Sequence, residues 1–338
     1  MAKDTLLSIA EKCGCSVSTV SRVISGKARK YRISDSTVAR VKAEVDRAGF
    51  VPSALAQGLR TGKTGIIGLL IPGVDDIFFA TMASHIIRNA RSLGYTVITI
   101  DTQEDAANEK SGIDALVARN VDGAIIIPCS TDITLFERLK KNGIPFVLVD
   151  RLVEGSEHCS FISTDNYAGS VMATKHLIDK GHKKILCLQG APEAYTCKER
   201  VRGYSDSMRS SGLEGNIKIL GSEFSAENAY EAMKEDLSGE DHCSAVFTMS
   251  HRILQGCLMA IRESGLRVPE DISIVTFDDN SMLDFFRPSI TCIKQPIGDI
   301  ASCAVRSIAS EISDEKKSSH IFLNPTMVSR SSVKTFKK

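Results

Sequence analysis

"CSVSTVSRVISG" (residues 15–26) mixes small hydroxyl side chains and one arginine with valines and an isoleucine at helical spacing. Ser16 stands where an N-cap belongs, because its hydroxyl accepts from a backbone N–H that the first helical turn leaves unpaired. From there the spacing turns Val20, Val23 and Ile24 to one side and Val17, Ser18, Ser21 and Arg22 to the other. Small side chains let a helix settle into a DNA major groove, where a guanidinium such as that of Arg22 bonds guanine O6 and N7 in bidentate fashion. Ser16, Thr19 and Ser21 suit phosphate contacts. Taken alone, the stretch also fits an ordinary solvated helix, so its neighbours have to decide.

On either side the same grammar repeats. Thr5 precedes Leu6, Ile9 and Ala10, and Ser34 precedes Val38, Val41 and Val45, with Gly49 as a stop. Gly14, in "KCGC", suits the tight turn of a helix-turn-helix. Three short helices with one apolar stripe each make a small core, here assigned to residues 1–50. Residues 1–63 hold 12 Lys/Arg against 5 Asp/Glu, although the whole chain is only +1, so a basic module sits on a mildly acidic body. That asymmetry suggests a polyanionic partner for the first segment. Residues 51–63, "VPSALAQGLRTGK", open on Pro52 and close on glycines, as a single short helix used as a hinge would. "GLRTGKT" is not a phosphate loop, because three residues instead of four separate its glycines and no strand precedes it.

The remainder changes pattern. Apolar runs at 65–71, 95–100, 123–127, 145–149, 184–189, 245–249 and 272–276 read as strands, alternating with helices such as 79–92, 132–141, 167–180, 226–237 and 252–264. Buried β-branched strands with helical crossovers imply parallel sheets covered on both faces, and about 270 residues of this pattern fit two α/β lobes. Ligands of such sheets bind at the carboxyl ends of the strands. No GxGxxG follows the first strand, which disfavours a dinucleotide. The ten cysteines form no Cys-x-x-Cys or Cys/His cluster, and the Cys13-x-Cys15 pair lacks further ligands, so reduced thiols and no metal are expected. No run approaches the roughly 20 apolar residues of a membrane span, and the start lacks a signal-peptide core. A cytoplasmic protein without a membrane partner is the expectation.

The quoted head, extended to "TLLSIAEKCGCSVSTVSRVISG" (5–26), and "YRISDSTVARVKAEVDRAGFVPSALAQGLRTGKTGIIGLLIP" (31–72) resemble the lactose-repressor/galactose-repressor family of bacterial transcription regulators. "DNYAGSVMATKHLIDKGHKKI" (165–185), "RVRGYSDSM" (200–208), "VPEDISIVTFDD" (268–279) and "RPSITCIKQPIGDIA" (287–301) follow in the family's order, so the resemblance covers about residues 3–331. It implies an all-α helix-turn-helix head on a two-lobed α/β body of the type I periplasmic-binding-protein kind. Crossovers are expected near 161–163, 289–291 and 322–326, giving a first lobe at about 64–161 and 291–322, a second at about 162–290 and 323–331, and a tail at 332–338. It also implies a homodimer on a pseudo-palindromic double-stranded operator, and no cofactor. No heptad segment closes the chain, which argues against a coiled-coil tetramer.

Residue by residue, Val17, Ser18 and Arg22 match the family's base-reading positions, and Thr5, Ser16, Ser21 and Arg32 its phosphate-facing ones. Leu59 matches the leucine that wedges a minor-groove step, with Ala56 and Gln57 beside it; an anchor against the body is the plainer role for Leu59. "KARKY" (27–31) lengthens the turn after the second helix relative to the lactose repressor. For a small-molecule effector the correspondence gives Phe78, Asp150, Arg151, Thr196, Arg200, Phe224, Ser250 and Asp278. An Arg and two Asp suit vicinal hydroxyls, and two Phe offer apolar faces, so a sugar is favoured, while stacking keeps purines open. Phe78 also suits a core position and either Asp a loop cap. Ser250-His251 replaces the Asn-Asp of many relatives. No catalytic residue is expected, and the rival reading is a small-molecule binder without DNA function.

Overall fold

The computed structural model describes residues 5–50, 62–239, 241–315 and 318–336, in two units, Met1–Gly65 and Ile66–Lys338. The hinge residues Ala56, Gln57 and Leu59 lie outside the described residues.

In the first unit all three expected caps form. α1 (Leu6–Lys12) starts with a reciprocal pair in which the Ser8 N–H donates to Thr5 Oγ1 and the Thr5 N–H to Ser8 Oγ. α2 (Val17–Ile24) is capped by Ser16 Oγ, which accepts from the Thr19 N–H at 3.1 Å. α3 (Asp35–Ala48) is capped by Ser34 and stops at Gly49, whose φ of 55° suits a residue without Cβ. Each cap contributes about 1 kcal/mol, which matters in a core of only Ile9, Ala10, Cys13, Val20, Val23 and Val41.

The second unit carries two six-stranded sheets. The first is built from β1 (Ile66–Ile71), β2 (Thr96–Asp101), β3 (Gly123–Ile126), β4 (Phe146–Val149), β5 (Ser160–Thr164) and β11 (His320–Leu323), in the order β11-β5-β4-β3-β1-β2, all parallel. The second holds β6 (Ile185–Leu188), β7 (Lys218–Leu220), β8 (Ala245–Thr248), β9 (Ser273–Phe277), β10 (Thr291–Lys294) and β12 (Thr326–Val328), in the order β12-β10-β9-β8-β6-β7. Only β12 runs antiparallel, against β10. Covering helices are α4 (Ile77–Ser92), α5 (Ala106–Ala118) and α6 (Thr134–Lys141) in the first lobe, with α7 (Asn166–Asp179), α8 (Tyr195–Ser210), α9 (Ala226–Ser238) and α10 (His251–Glu263) in the second; α11 (Ile297–Ile312) returns to the first. Burial on both sheet faces explains why the strands are runs of Ile, Val and Leu.

Sheet pairing moves the expected lobe boundaries. β5 continues to Thr164 in the first sheet, and β10 pairs with β9, so residues 291–294 belong to the second lobe and not the first. The chain therefore crosses after Thr164, after Lys294 and after Leu323. The tail assigned to 332–338 is corrected for its described part. Ser332 is fully buried, its carbonyl accepting from the Ile274 N–H and its hydroxyl from the Thr291 N–H, and the Phe336 N–H donates to the Lys180 carbonyl.

Candidate DNA-reading face and effector cleft

The head is the simpler site. Val17, with a relative exposure of 39%, and Ser18 are exposed on α2, opposite the buried Val20 and Val23. Ser16 is committed to its cap and also pairs with the Ser18 and Thr19 hydroxyls at 2.8 Å. Ser21 and Arg22 are half-buried, and Arg32 is exposed at a φ of 52°. Thr5, at the start of α1, is exposed and engaged with Ser8. None of these caps removes a cation from the surface, so the basic excess stays available to phosphates.

In the body, all eight residues expected at the effector site line one cavity, together with Asp76, Phe79, Glu104, Arg252 and Gln295. Topology explains the convergence. Asp150 directly follows β4 and Asp278 directly follows β9, both at carboxyl ends of central strands, in opposite lobes. Both adopt left-handed backbone, φ 66° and 75°, which Asp tolerates better than most side chains. Each is pinned by the adjacent strand, Asp150 N–H to Ile162 O and Asp278 N–H to Ile293 O, both at 2.9 Å.

The two arginines differ in kind. Arg151 places Nη1 and Nη2 on the two Glu104 oxygens at 2.7 and 2.8 Å, so its charge is already matched. Arg200 is 4% exposed; its Nε donates to Asn166 Oδ1 at 2.8 Å and Nη1 to the Met249 carbonyl at 2.5 Å, above the Phe277 ring. No carboxylate lies within ion-pair distance of Arg200 among the described residues. Burial lowers its pKa, against the pull of Asp278 and Asp150. It is therefore the buried cation with unspent electrostatic capacity.

Burial pushes the Asp150 carboxyl up to about 6, with Arg151 opposing, and its Oδ1 is buried without a hydrogen-bond partner. Such an oxygen is costly unless something donates to it. Asp278 Oδ1 accepts from Gln295 Nε2 at 2.5 Å, and Gln295 Oε1 accepts from Thr164 Oγ1 at 2.5 Å, so two crossovers meet at one cleft carboxylate. His251 Nδ1 is 4.0 Å from Asp278 Oδ2, and neither ring nitrogen has a hydrogen-bond partner. Ser250 Oγ caps α10 by accepting from the Ile253 N–H. Thr196 is buried in the first turn of α8.

Phe78 lines the cavity and also packs edge-to-face on Phe79 at 5.3 Å, so it serves core and cleft together. Phe224 lies so close over Gly190 that a Cβ there would fall 2.4 Å from the ring. At the rim, Arg252 Nη2 reaches Asp75 Oδ2 at 3.0 Å and Nε reaches Asp76 Oδ2 at 3.3 Å, an ion pair between lobes. The enclosed space is only about 70 Å³, well below the roughly 300 Å³ of a typical ligand pocket. Admission of a ligand therefore requires the lobes to part. Asp76, Phe79, Glu104, Arg252 and Gln295 escaped the sequence reading; only Asp76, in an N-cap position before "IFF", carried a local signal. No cluster of three or more His, Cys, Asp or Glu suited to a metal occurs among the described residues.

Residues 5–53 match the pattern described as "Bacterial regulatory proteins, lacI family", and residues 67–285 match "Periplasmic binding protein domain". The HTH-type transcriptional repressor PurR of Photobacterium profundum is 31% identical over 98% of this chain and 98% of that protein. The chain belongs to the lacI family. This lacI-family protein is thus a DNA-binding transcriptional regulator of the kind that answers to a small molecule. Among solved structures, the transcriptional regulator CelR–cellobiose complex is 25% identical, covering 97% of this chain and 99% of that one at a TM-score of 0.73. The lac repressor dimer bound to operator and the anti-inducer ONPF is 23% identical over 98% and 100%, with a TM-score of 0.87, a likeness in fold. No helix among the described residues is long and apolar enough to cross a membrane.

Proposed function

We propose that this lacI-family regulator binds a pseudo-palindromic operator as a homodimer, one α2 per half-site, and that a sugar or sugar derivative in the cleft changes its DNA affinity. The carrying observation is a set of three buried groups in one cleft: Arg200 on α8 without an ion-pair partner, and two carboxylates at strand ends of opposite lobes, Asp150 with an unsatisfied oxygen and Asp278 tied to the crossovers. Vicinal hydroxyls supply the donors and acceptors this set lacks, and Phe78 and Phe224 take the apolar face of a ring. Because Asp150 and Asp278 sit on different lobes, a ligand bridging them biases lobe closure through differential contact. No covalent step is required. Phe285 and Phe286, exposed beside an apolar groove lined by Leu258, Met259 and Met282, give the face on which a second copy packs.

The test is a thermal-shift panel of sugars, sugar phosphates and purines on the full chain, followed by operator binding with and without each hit. The operator is first selected from randomised duplex DNA by the chain itself. A hydroxyl-rich hit that alters operator affinity supports the reading. A purine hit with no sugar response overturns the effector class, and absence of any selected duplex overturns the DNA role.

A further inference from the structure

Arg22 carries its guanidinium over the ring of Tyr31, with Cζ 4.0 Å from the ring centroid. A cation over an aromatic face is held by the ring quadrupole, and an arginine so stacked keeps its fork of N–H donors for another partner. No hydrogen bond or ion pair of the Arg22 side chain competes for those donors among the described residues.

The ring's position is built by the turn that "KARKY" lengthens. The Lys27 N–H donates to the Arg22 carbonyl at 2.9 Å, the Tyr31 N–H to the Lys27 and Ala28 carbonyls, and the Ile33 N–H to the Ala28 carbonyl at 3.0 Å. Ala28 and Ile33 pack against the head core. The turn is thus tied to the end of α2 and to the core, and it delivers Tyr31, 45% exposed, back onto Arg22. Lys27, Arg29, Lys30 and Arg32 stay exposed on the same turn; charges of that kind contact phosphates and add affinity evenly across sequences.

We propose that Tyr31 is a positioning residue for Arg22: its ring orders the guanidinium beforehand, so that discrimination at the one base pair Arg22 reads depends on a residue of the turn. The proposal rests on the base-reading role of α2. Ordering a long side chain before association removes part of its immobilisation cost. The gain is specific to the base that uses those donors.

The experiment uses the full chain and its selected operator, and compares affinity for that operator with affinity for versions substituted at each guanine. Arg22→Ala should abolish discrimination at one position. Tyr31→Ala should reduce discrimination at that same position by about two- to fivefold, the scale of an exposed cation–π contact, with the salt slope unchanged. Tyr31→Phe should restore it, and in an Arg22→Ala background Tyr31→Ala should change nothing further. Uniform weakening on all sequences, or an effect that persists without Arg22, would overturn the positioning role while leaving α2 as the reader. An Arg22→Ala protein that keeps full discrimination would overturn both. Unchanged melting of the Tyr31 variants excludes unfolding as the cause.

Discussion

The head and the cleft solve recognition in opposite ways. On α2 the recognition groups are exposed or half-buried, mounted on a core of six buried residues, and backed by an excess of surface cations. In the cleft the three deepest charged groups are buried without a charged hydrogen-bond partner, with Arg200 between a carbonyl and an amide, Asp278 on Gln295, and Asp150 with one oxygen short of a donor. The first arrangement draws on long-range charge that salt screens, and the second on short contacts already out of water.

Salt should separate them most sharply. Operator affinity should fall by about 10³ or more between 50 and 200 mM salt if six or more phosphates are neutralised, while effector affinity of the same protein stays nearly level. Parallel salt slopes from paired titrations would break the distinction. Next in size, Arg200→Ala should weaken effector binding by roughly 100-fold, the order expected for removing one buried charged partner, and leave operator affinity without effector unchanged. Calorimetry and gel shift on one preparation check both halves.

Acidity should act on the cleft alone. Asp150 has its carboxyl raised to about 6 by burial, and an effector that donates to it favours the ionised form and lowers that value on binding. Affinity is then greatest above pH 6 and falls by up to about tenfold per unit as pH drops below it, with proton release on binding. In the free protein the sign for stability is the reverse: a raised carboxyl favours the protonated folded state, so its contribution is lost as pH rises from about 4 through 6. A flat affinity profile from pH 5 to 7 would remove Asp150 from the contact. The smallest expected effect is at the rim, where Arg252→Gln should speed effector release by no more than about fivefold, since exposed pairs contribute little. Stopped-flow dissociation measures it.

The same contrast explains what the sequence could show. The proposed DNA-reading residues sit in one local segment, so cap, spacing and small residues brought Ser16, Val17, Ser18 and Arg22 together as candidates, and the structure places them on one capped helix. The cleft is assembled from residues far apart in the chain, and Asp150, Arg200 and Asp278 were found through family correspondence, not through any local signal. Glu104 and Gln295 had neither: each acts on another side chain across the fold, Glu104 on Arg151 and Gln295 between Thr164 and Asp278. Short strands with polar ends, "SFIST" and "TCIK", likewise hid inside loops, which shifted the lobe boundaries. Residues 332–336 looked like a tail because their fixing bonds run to partners distant in sequence, Ser332 to β9 and β10 and Phe336 to Lys180.

Operator affinity with and without saturating effector, in the parent and in Arg200→Ala, addresses the link between the two sites most directly. At an effector concentration that just saturates the parent, the parent should change by about 5- to 150-fold, the usual range of such coupling, and the variant, which binds effector roughly 100-fold more weakly, should scarcely respond. An effector that fills the cleft of the parent, as calorimetry would record, yet leaves its operator affinity untouched would contradict the account.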